Sequence, residues 1–162
     1  AYYDCKKDTS DLFDDLQIAQ AESYQKYRNK YEVLKINMQE FLSAAGSMEE
    51  MLKTLQSRLL SELKRKYPNN VQDDGLTFTM KDVYAETGHA FVILIDEWDC
   101  IFREYQNDKE SQKKYLDFLR MWLKDAVVKM LAGITYDRDS KQHTCVIEKM
   151  IKEKGYLQVK IK

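Results

Sequence analysis

Two adjacent carboxylates, Asp96 and Glu97, are the residues of this sequence best placed to do chemistry. They directly follow six apolar residues, Ala90–Ile95, and this run without polar alternation predicts a strand buried on both faces of a parallel sheet. Carboxylates at the carboxyl end of such a strand emerge at the edge where α/β folds bind ligands. The arrangement has the form of a Walker B element. It predicts that Asp96 holds Mg²⁺ through water and that Glu97 deprotonates the water that attacks a γ-phosphate.

The spacing alone leaves an alternative open, because many strands end in acidic residues that are merely solvated. A nucleotide site also needs a phosphate-binding loop of the pattern G-x-x-x-x-G-K-[ST]. The glycines are too far apart to build that loop, and none of them precedes Lys-Ser or Lys-Thr; they are Gly46, Gly75, Gly88, Gly133 and Gly155. The sequence therefore contains at most half of an ATPase site, and we expect weak nucleotide affinity at best.

Metal and thiol chemistry has less support from local spacing. The three cysteines, Cys5, Cys100 and Cys145, are far apart and form no CxxC pair, which argues against a disulfide framework and a zinc site. Reduced thiols in the cytoplasm are the simpler interpretation. The two histidines, His89 and His143, have no ligand cluster beside them, so we interpret them as polar residues of turns or strands.

The length and composition restrict the class of protein. With 162 residues the chain has the size of one domain, and its net charge of −1 argues against a general nucleic-acid coat. A membrane-spanning helix needs about 20 apolar residues, whereas the run at Ala90–Ile95 has six. We therefore predict a cytoplasmic protein without a membrane partner.

The elements that must position Asp96 and Glu97 follow from periodicity and caps. The pattern Ser47-x-x-Glu50 is a capping box and begins a helix with apolar residues on one face. The cations near the end of that helix, including Lys66, indicate either a phosphate contact or a solvated helix end. The sequence predicts an α/β fold with a short, mostly parallel sheet, flanking helices and a C-terminal β-hairpin. Its predicted strands span 31–38, 90–95, 127–136 and 143–149, and its predicted helices span 47–66, 79–86 and 108–125.

Several separated motifs around this core resemble the bacterial AAA-ATPase-like family, in which an ATPase-like domain precedes a PD-(D/E)XK nuclease-like domain. The resemblance covers roughly residues 1–125. It implies a partial P-loop-NTPase-like core that lacks Walker A, with Mg-ATP as the implied cofactor. The motifs that carry it are Leu12-Phe13, Asn29-Lys30-Tyr31, Asn37–Ser43, Ile95–Glu104, Asn107-Asp108 and Tyr115–Arg120.

Residues 126–162 resemble another part of the same family. Leu131–Asp137 and His143–Lys149 are similar to the last strands of the nuclease-like domain. The resemblance therefore implies a truncated or internally deleted member, with a junction near residues 125 and 126. The nuclease carboxylates are absent from it, so the resemblance implies nucleic-acid binding only through a nuclease-like domain that this chain lacks.

These observations lead to two main functional hypotheses. The first is ATP binding and hydrolysis through Asp96 and Glu97, with this chain catalytically inert by itself. The alternative is a non-enzymatic interaction module that keeps the ATPase-like core for its shape and binds a protein partner. Nuclease activity from the C-terminal part is a third and weaker hypothesis.

Overall fold

The computed structural model describes residues 1–69, 75–125, 127–137, 142–152 and 155–157 of the chain. The first residues form short helical turns, and strands alternate with helices after them. The helices are α1 (Ser10–Phe13), a 3₁₀ turn (Gln17–Gln20), α2 (Tyr24–Tyr27), α3 (Met38–Ala44), α4 (Met48–Lys66), α5 (Leu76–Thr87), α6 (Cys100–Glu104) and α7 (Lys109–Lys124). The strands are β1 (Tyr31–Asn37), β2 (Ala90–Asp96), β3 (Val128–Asp137), β4 (Gln142–Lys152) and β5 (Gly155–Leu157).

The described strands form one mixed sheet in the order β1-β2-β3-β4-β5. The first three strands are parallel. Along the chain, helices α3 to α5 connect β1 to β2, and helices α6 and α7 connect β2 to β3. Strands β4 and β5 continue the sheet in antiparallel fashion. The α/β class and a short parallel sheet with flanking helices agree with the sequence prediction, whereas the parallel pairing of β3 with β2 was not part of it. The turn at residues 138–141 lies outside the described residues, so the C-terminal hairpin stays a prediction.

A continuous apolar core lies between one face of the sheet and the helices from α3 to α7. Alternation along β2 directs Phe91, Ile93 and Ile95 into this core, where all three are fully buried. On the opposite face Val92 is also buried, but Leu94 is only half-buried, so the burial of both faces predicted for this strand is incomplete. Among the described helices, none combines the length and apolar character needed to cross a membrane.

The strongest sequence signals correspond to real elements, with small shifts at their ends. The helix predicted at 47–66 begins at Met48 after its cap Ser47, and the helix predicted at 108–125 begins at Lys109 after its cap Asp108. Strand β1 ends at Asn37 because the side chain of Asn37 accepts a hydrogen bond from the Glu40 N–H and caps α3. Helix α3 is not among the helices predicted from the sequence.

The cap of α4 supports a direct stability test. The Ser47 hydroxyl accepts a hydrogen bond from the Glu50 N–H at 3.2 Å, while the Glu50 carboxylate accepts one from the Gly46 N–H at 2.8 Å rather than from Ser47 itself. We expect Ser47→Ala to lower the free energy of unfolding by about 1 kcal/mol, measured by urea denaturation. Ser57→Ala, on the exposed face of the same helix, is the matched control and should change it by less than about 0.5 kcal/mol. Equal stabilities of the two variants would contradict this role of the cap.

Candidate functional site

The Asp96–Glu97 turn lies at the carboxyl edge of the parallel strands, where the sequence predicts a site. Strand β2 ends at Asp96, which is in register with Asn37 of β1 on one side and Ile134 of β3 on the other. The three strand ends therefore meet at one edge of the sheet, as expected for a ligand site in a parallel α/β fold. Neither Asn37 nor Ile134 was singled out from the sequence as a site residue.

Asp96 has the more open coordination of the two carboxylates. Its Oδ1 accepts a hydrogen bond from the Glu97 N–H at 3.1 Å, and the residue is partly buried. No other hydrogen bond or ion pair to Asp96 occurs within the part of the chain that the structure describes. A carboxylate has lone pairs for about four partners, so most of its capacity is available to a cation or to water held by a cation. Asp96 therefore has the chemistry that a Mg²⁺ ligand requires.

Glu97 is held by a neighbouring guanidinium instead of standing free. Its Oε2 lies 2.5 Å from Nη2 of Arg103, and Asp99 lies 2.7 Å from Nη1 of the same residue. Asp99 and Arg103 stand at the i,i+4 spacing that favours a helical ion pair, and Glu97 is a second carboxylate partner of the same guanidinium. The geometry leaves Oε1 of Glu97 as the oxygen available to a water molecule, since no described residue bonds to it.

The backbone at Glu97 has an uncommon conformation. Its φ of 52° lies in the left-handed region, which a residue with a Cβ adopts at a cost of about 1 kcal/mol or more. Such conformations persist where the surroundings enforce them, and they are common at functional sites. This conformation occurs in the short connection between the end of β2 at Asp96 and the start of α6 at Cys100.

Trp98 anchors the turn to the rest of the fold. Its indole packs against Gly133 of β3, and its carbonyl oxygen accepts a hydrogen bond from the Tyr115 hydroxyl of α7 at 2.7 Å. Tyr115 is fully buried, and burial raises the pKa of its hydroxyl well above the ordinary range, so it remains a donor. Trp122 and Cys100 are fully buried in the core, and Trp98 is partly buried against it.

A second polar cluster lies at the opposite, amino edge of β1 and β2. The carboxylate of Glu32 accepts a hydrogen bond from the Cys5 thiol at 2.9 Å, two from the Lys66 ammonium at 2.6 Å, and one from the Tyr67 hydroxyl. Lys66, considered from the sequence as a phosphate contact or a solvated helix end, is instead the ion-pair partner of Glu32. Burial and then the hydrogen bond to Glu32 raise the pKa of the Cys5 thiol to about 11.

His89 completes this cluster. Each of the three residues offers one potential ligand atom. A ring nitrogen of His89, the Cys5 sulfur and a Glu32 oxygen all lie within 4.8 Å of one another. Local spacing in the sequence gives no signal of a metal site here, because the three residues come from the N-terminal segment, β1 and the residue before β2. The only sequence signal was the alternation of β1, which places Glu32 on the same face as the core residues Leu34 and Ile36.

Comparison with known proteins identifies the family but no close relative. The chain matches no curated protein and no solved structure. A family model described as "Predicted AAA-ATPase" matches residues 1–135, which includes both acidic residues of the turn and extends past residue 125 into β3. That match covers most of the chain, and the chain belongs to this predicted AAA-ATPase family.

Proposed function

We propose that the Asp96–Glu97 turn is the Mg²⁺-binding and water-activating part of an ATP-hydrolysis site. The observation that carries this proposal is the position of Asp96, a carboxylate with free lone pairs at the carboxyl edge of the central parallel strand. Membership in a predicted AAA-ATPase family supports the same chemistry. The residues fit the cation because an oxygen ligand that binds through water suits Mg²⁺, which dehydrates reluctantly.

Each residue of the turn has a defined task in this proposal. Asp96 would hold Mg²⁺ through the ion's water ligands, and a bound Mg²⁺ would supply neutralisation of charge on the phosphates. Glu97 accepts a proton from the attacking water through Oε1, while Oε2 remains on Arg103. Arg103 therefore positions the base, and Asp99 holds Arg103 from its other side.

We propose that the chain by itself binds nucleotide weakly and hydrolyses no measurable amount of ATP. Its 162 residues contain no G-x-x-x-x-G-K-[ST] sequence, and backbone N–H groups of such a loop supply much of the affinity for phosphate. The proposal retains the division into a partial ATPase-like unit at residues 1–125 and a nuclease-like remnant at residues 126–162.

Replacing the metal ligand tests this function. We expect calorimetry to detect Mg-ATP binding with a dissociation constant of about 1 mM, corresponding to about 4 kcal/mol. Asp96→Asn should weaken it at least about fivefold, because an amide keeps the shape but removes the charge that holds the cation. The matched control is Asp117→Asn on the exposed face of α7, which removes the same charge away from the turn.

Two outcomes would contradict the proposal for this chain. The first is an absence of heat with millimolar Mg-ATP, and the second is equal affinity of the wild type and Asp96→Asn. Measurable phosphate release that Glu97→Gln abolishes would retain the site but refute the proposed inactivity.

A non-enzymatic interaction module is the second candidate. The observation in its favour is a set of large apolar side chains that are exposed near the N-terminus, where Leu12 is 63% and Leu16 is 52% exposed. Scattered apolar residues are ordinary on protein surfaces, so this observation is weaker than the one at Asp96. The module predicts a stable complex with a partner and no nucleotide binding, and light scattering that shows only a monomer in lysate fractions would count against it.

A further inference from the structure

Three side chains of metal-binding type converge at the amino edge of β1 and β2, away from the Asp96–Glu97 turn. Cys5 is placed by the N-terminal segment, whose backbone bonds to β1 through the Cys5 N–H and the Tyr31 carbonyl at 2.9 Å. Glu32 is the second residue of β1, and His89 directly precedes β2. Pairing of the two strands therefore fixes two of the ligands, and the N-terminal segment adds the third.

The position of Glu32 is unusual for a purely structural carboxylate. It is 2% exposed and shares its face of the strand with Leu34 and Ile36, where an apolar side chain would ordinarily stand. A buried carboxylate is costly unless charged and hydrogen-bonding partners surround it. The chain supplies such partners, but an apolar residue would need none of them, so the network itself indicates a use for the charge.

The donor set selects the kind of cation. Thiolate, imidazole and carboxylate together suit Zn²⁺, whereas Mg²⁺ and Ca²⁺ prefer oxygen ligands alone. At Zn–ligand distances of about 2.0–2.3 Å, tetrahedral ligands lie roughly 3.5 Å apart. The three donors already lie within 4.8 Å of one another, so small rotations of the side chains suffice. The backbone N–H of His89 is bound to Thr87, while its ring bonds to no described residue and is available as a ligand.

Lys66 is the group that a metal ion would displace. Its ammonium contacts both oxygens of Glu32 at 2.6 Å, but its side chain is 32% exposed and belongs to the last residue of α4. The ammonium group can therefore rotate out into the solvent when another cation takes its place. On binding, the Cys5 thiol loses its proton to solvent, and the sulfur that donated to Glu32 becomes a ligand.

We propose that Cys5, Glu32 and His89 form a three-ligand Zn²⁺ site, with Lys66 as the internal cation that occupies the carboxylate when the metal is absent. The fourth position of the tetrahedron is open to water. This inference does not depend on the proposed ATPase chemistry, since it shares no residue with the Asp96–Glu97 turn.

Titration of the metal-free chain with Co²⁺ tests the site, because Co²⁺ reports its ligands by absorption. We expect one equivalent to produce a thiolate-to-cobalt charge-transfer band in the near ultraviolet and the intense visible bands of tetrahedral coordination. Added Zn²⁺ should displace the bound Co²⁺ and so remove both sets of bands. Cys5→Ala should abolish the charge-transfer band, and His89→Ala should weaken binding at least about tenfold. Cys100→Ala is the control: it removes a buried thiol outside the cluster, and its spectrum should match the wild type.

A second variant separates a built site from chance binding. Lys66→Met removes the competing ammonium and should raise the affinity for Zn²⁺ at least about fivefold, measured with a competing chelator. A charge-transfer band that persists in Cys5→Ala, an absence of any band in the wild type, or an unchanged affinity in Lys66→Met would each overturn the proposal. Asp96→Asn should bind Co²⁺ as the wild type does, which keeps this test distinct from that of the nucleotide site.

Discussion

Gly133→Ala is expected to lower the free energy of unfolding by about 2–3 kcal/mol, although it adds a single methyl group. A Cβ at this position would lie 2.8 Å from Cγ and 2.9 Å from Cδ1 of Trp98, closer than non-bonded carbons can approach. Gly133 is buried in β3, next to the central strand, so its backbone cannot move away cheaply. Urea denaturation of the variant and the wild type measures the loss.

Trp98 cannot simply retreat from the added methyl group. Its ring packs edge-on against Phe102 with centroids 5.5 Å apart, and its carbonyl is held by the Tyr115 hydroxyl. Moving the indole therefore moves the turn that carries Asp96 and Glu97. We expect the variant to be less stable and also to show an altered near-ultraviolet circular dichroism spectrum from the displaced indole.

Two further variants make this prediction sharp. Gly46→Ala is the matched control, because its Cβ would meet only the flexible Glu50 carboxylate at 3.3 Å, and it should cost less than about 1 kcal/mol. Trp98→Ala removes the ring atoms that the added methyl group would meet, so the variant that combines it with Gly133→Ala should be more stable than the sum of the single effects predicts, by about 1 kcal/mol. Strict additivity would show that Trp98 is not the group that the methyl meets.

Lys66→Met is expected to destabilise the metal-free chain by about 2–3 kcal/mol. It leaves the Glu32 carboxylate, 2% exposed, without its charged partner. Breaking a fully buried pair costs about 3–5 kcal/mol, and the partial exposure of Lys66 places the expected loss below that range. Denaturant unfolding at neutral pH in the presence of a chelator measures it.

The pH dependence of this loss has a definite sign. Burial opposes ionisation of Glu32, but hydrogen bonds from Cys5, Lys66 and Tyr67 hold the pKa of its carboxyl below the ordinary value. A carboxyl with a lowered pKa stabilises the fold above its unfolded pKa and loses that contribution as the pH falls through its folded pKa. The deficit of Lys66→Met relative to the wild type should therefore shrink in acid.

Replacing both partners provides the control. Glu32→Leu combined with Lys66→Met removes the charge together with its counterion, and such apolar replacement of a buried pair is often neutral or stabilising. We expect the double variant to recover most of the stability that Lys66→Met loses. A double variant as unstable as Lys66→Met would mean that the loss comes from packing of the lysine stem rather than from the unpaired carboxylate.

Local chemistry explains which elements were predictable. The apolar run of β2 and the capped, periodic α4 carry their own signals, and both were predicted within one or two residues. The acidic turn was predictable for the same reason, because a strand that ends in two carboxylates determines where they emerge.

The remaining features depend on contacts between distant segments. Each face of β1 carries one charged residue, Glu32 or Lys35, so alternation alone could not show that Glu32 faces inward. The cluster of Cys5, Glu32 and His89 exists only because β1 and β2 pair in parallel. Likewise, the ion pair of Glu97 with Arg103 depends on the left-handed backbone conformation of Glu97, which no residue type in the sequence predicts.

The length of β1 has a consequence for how the two edges of the sheet relate. Glu32 and Asn37 are five residues apart on one strand, and at about 3.3 Å per residue their backbones are separated by about 16 Å. The stretch between them is paired with β2 along its full length, and its inward side chains, Leu34 and Ile36, are part of the apolar core. Sites so far apart without shared partners act independently, and the free energies of ligands bound at the two ends should simply add.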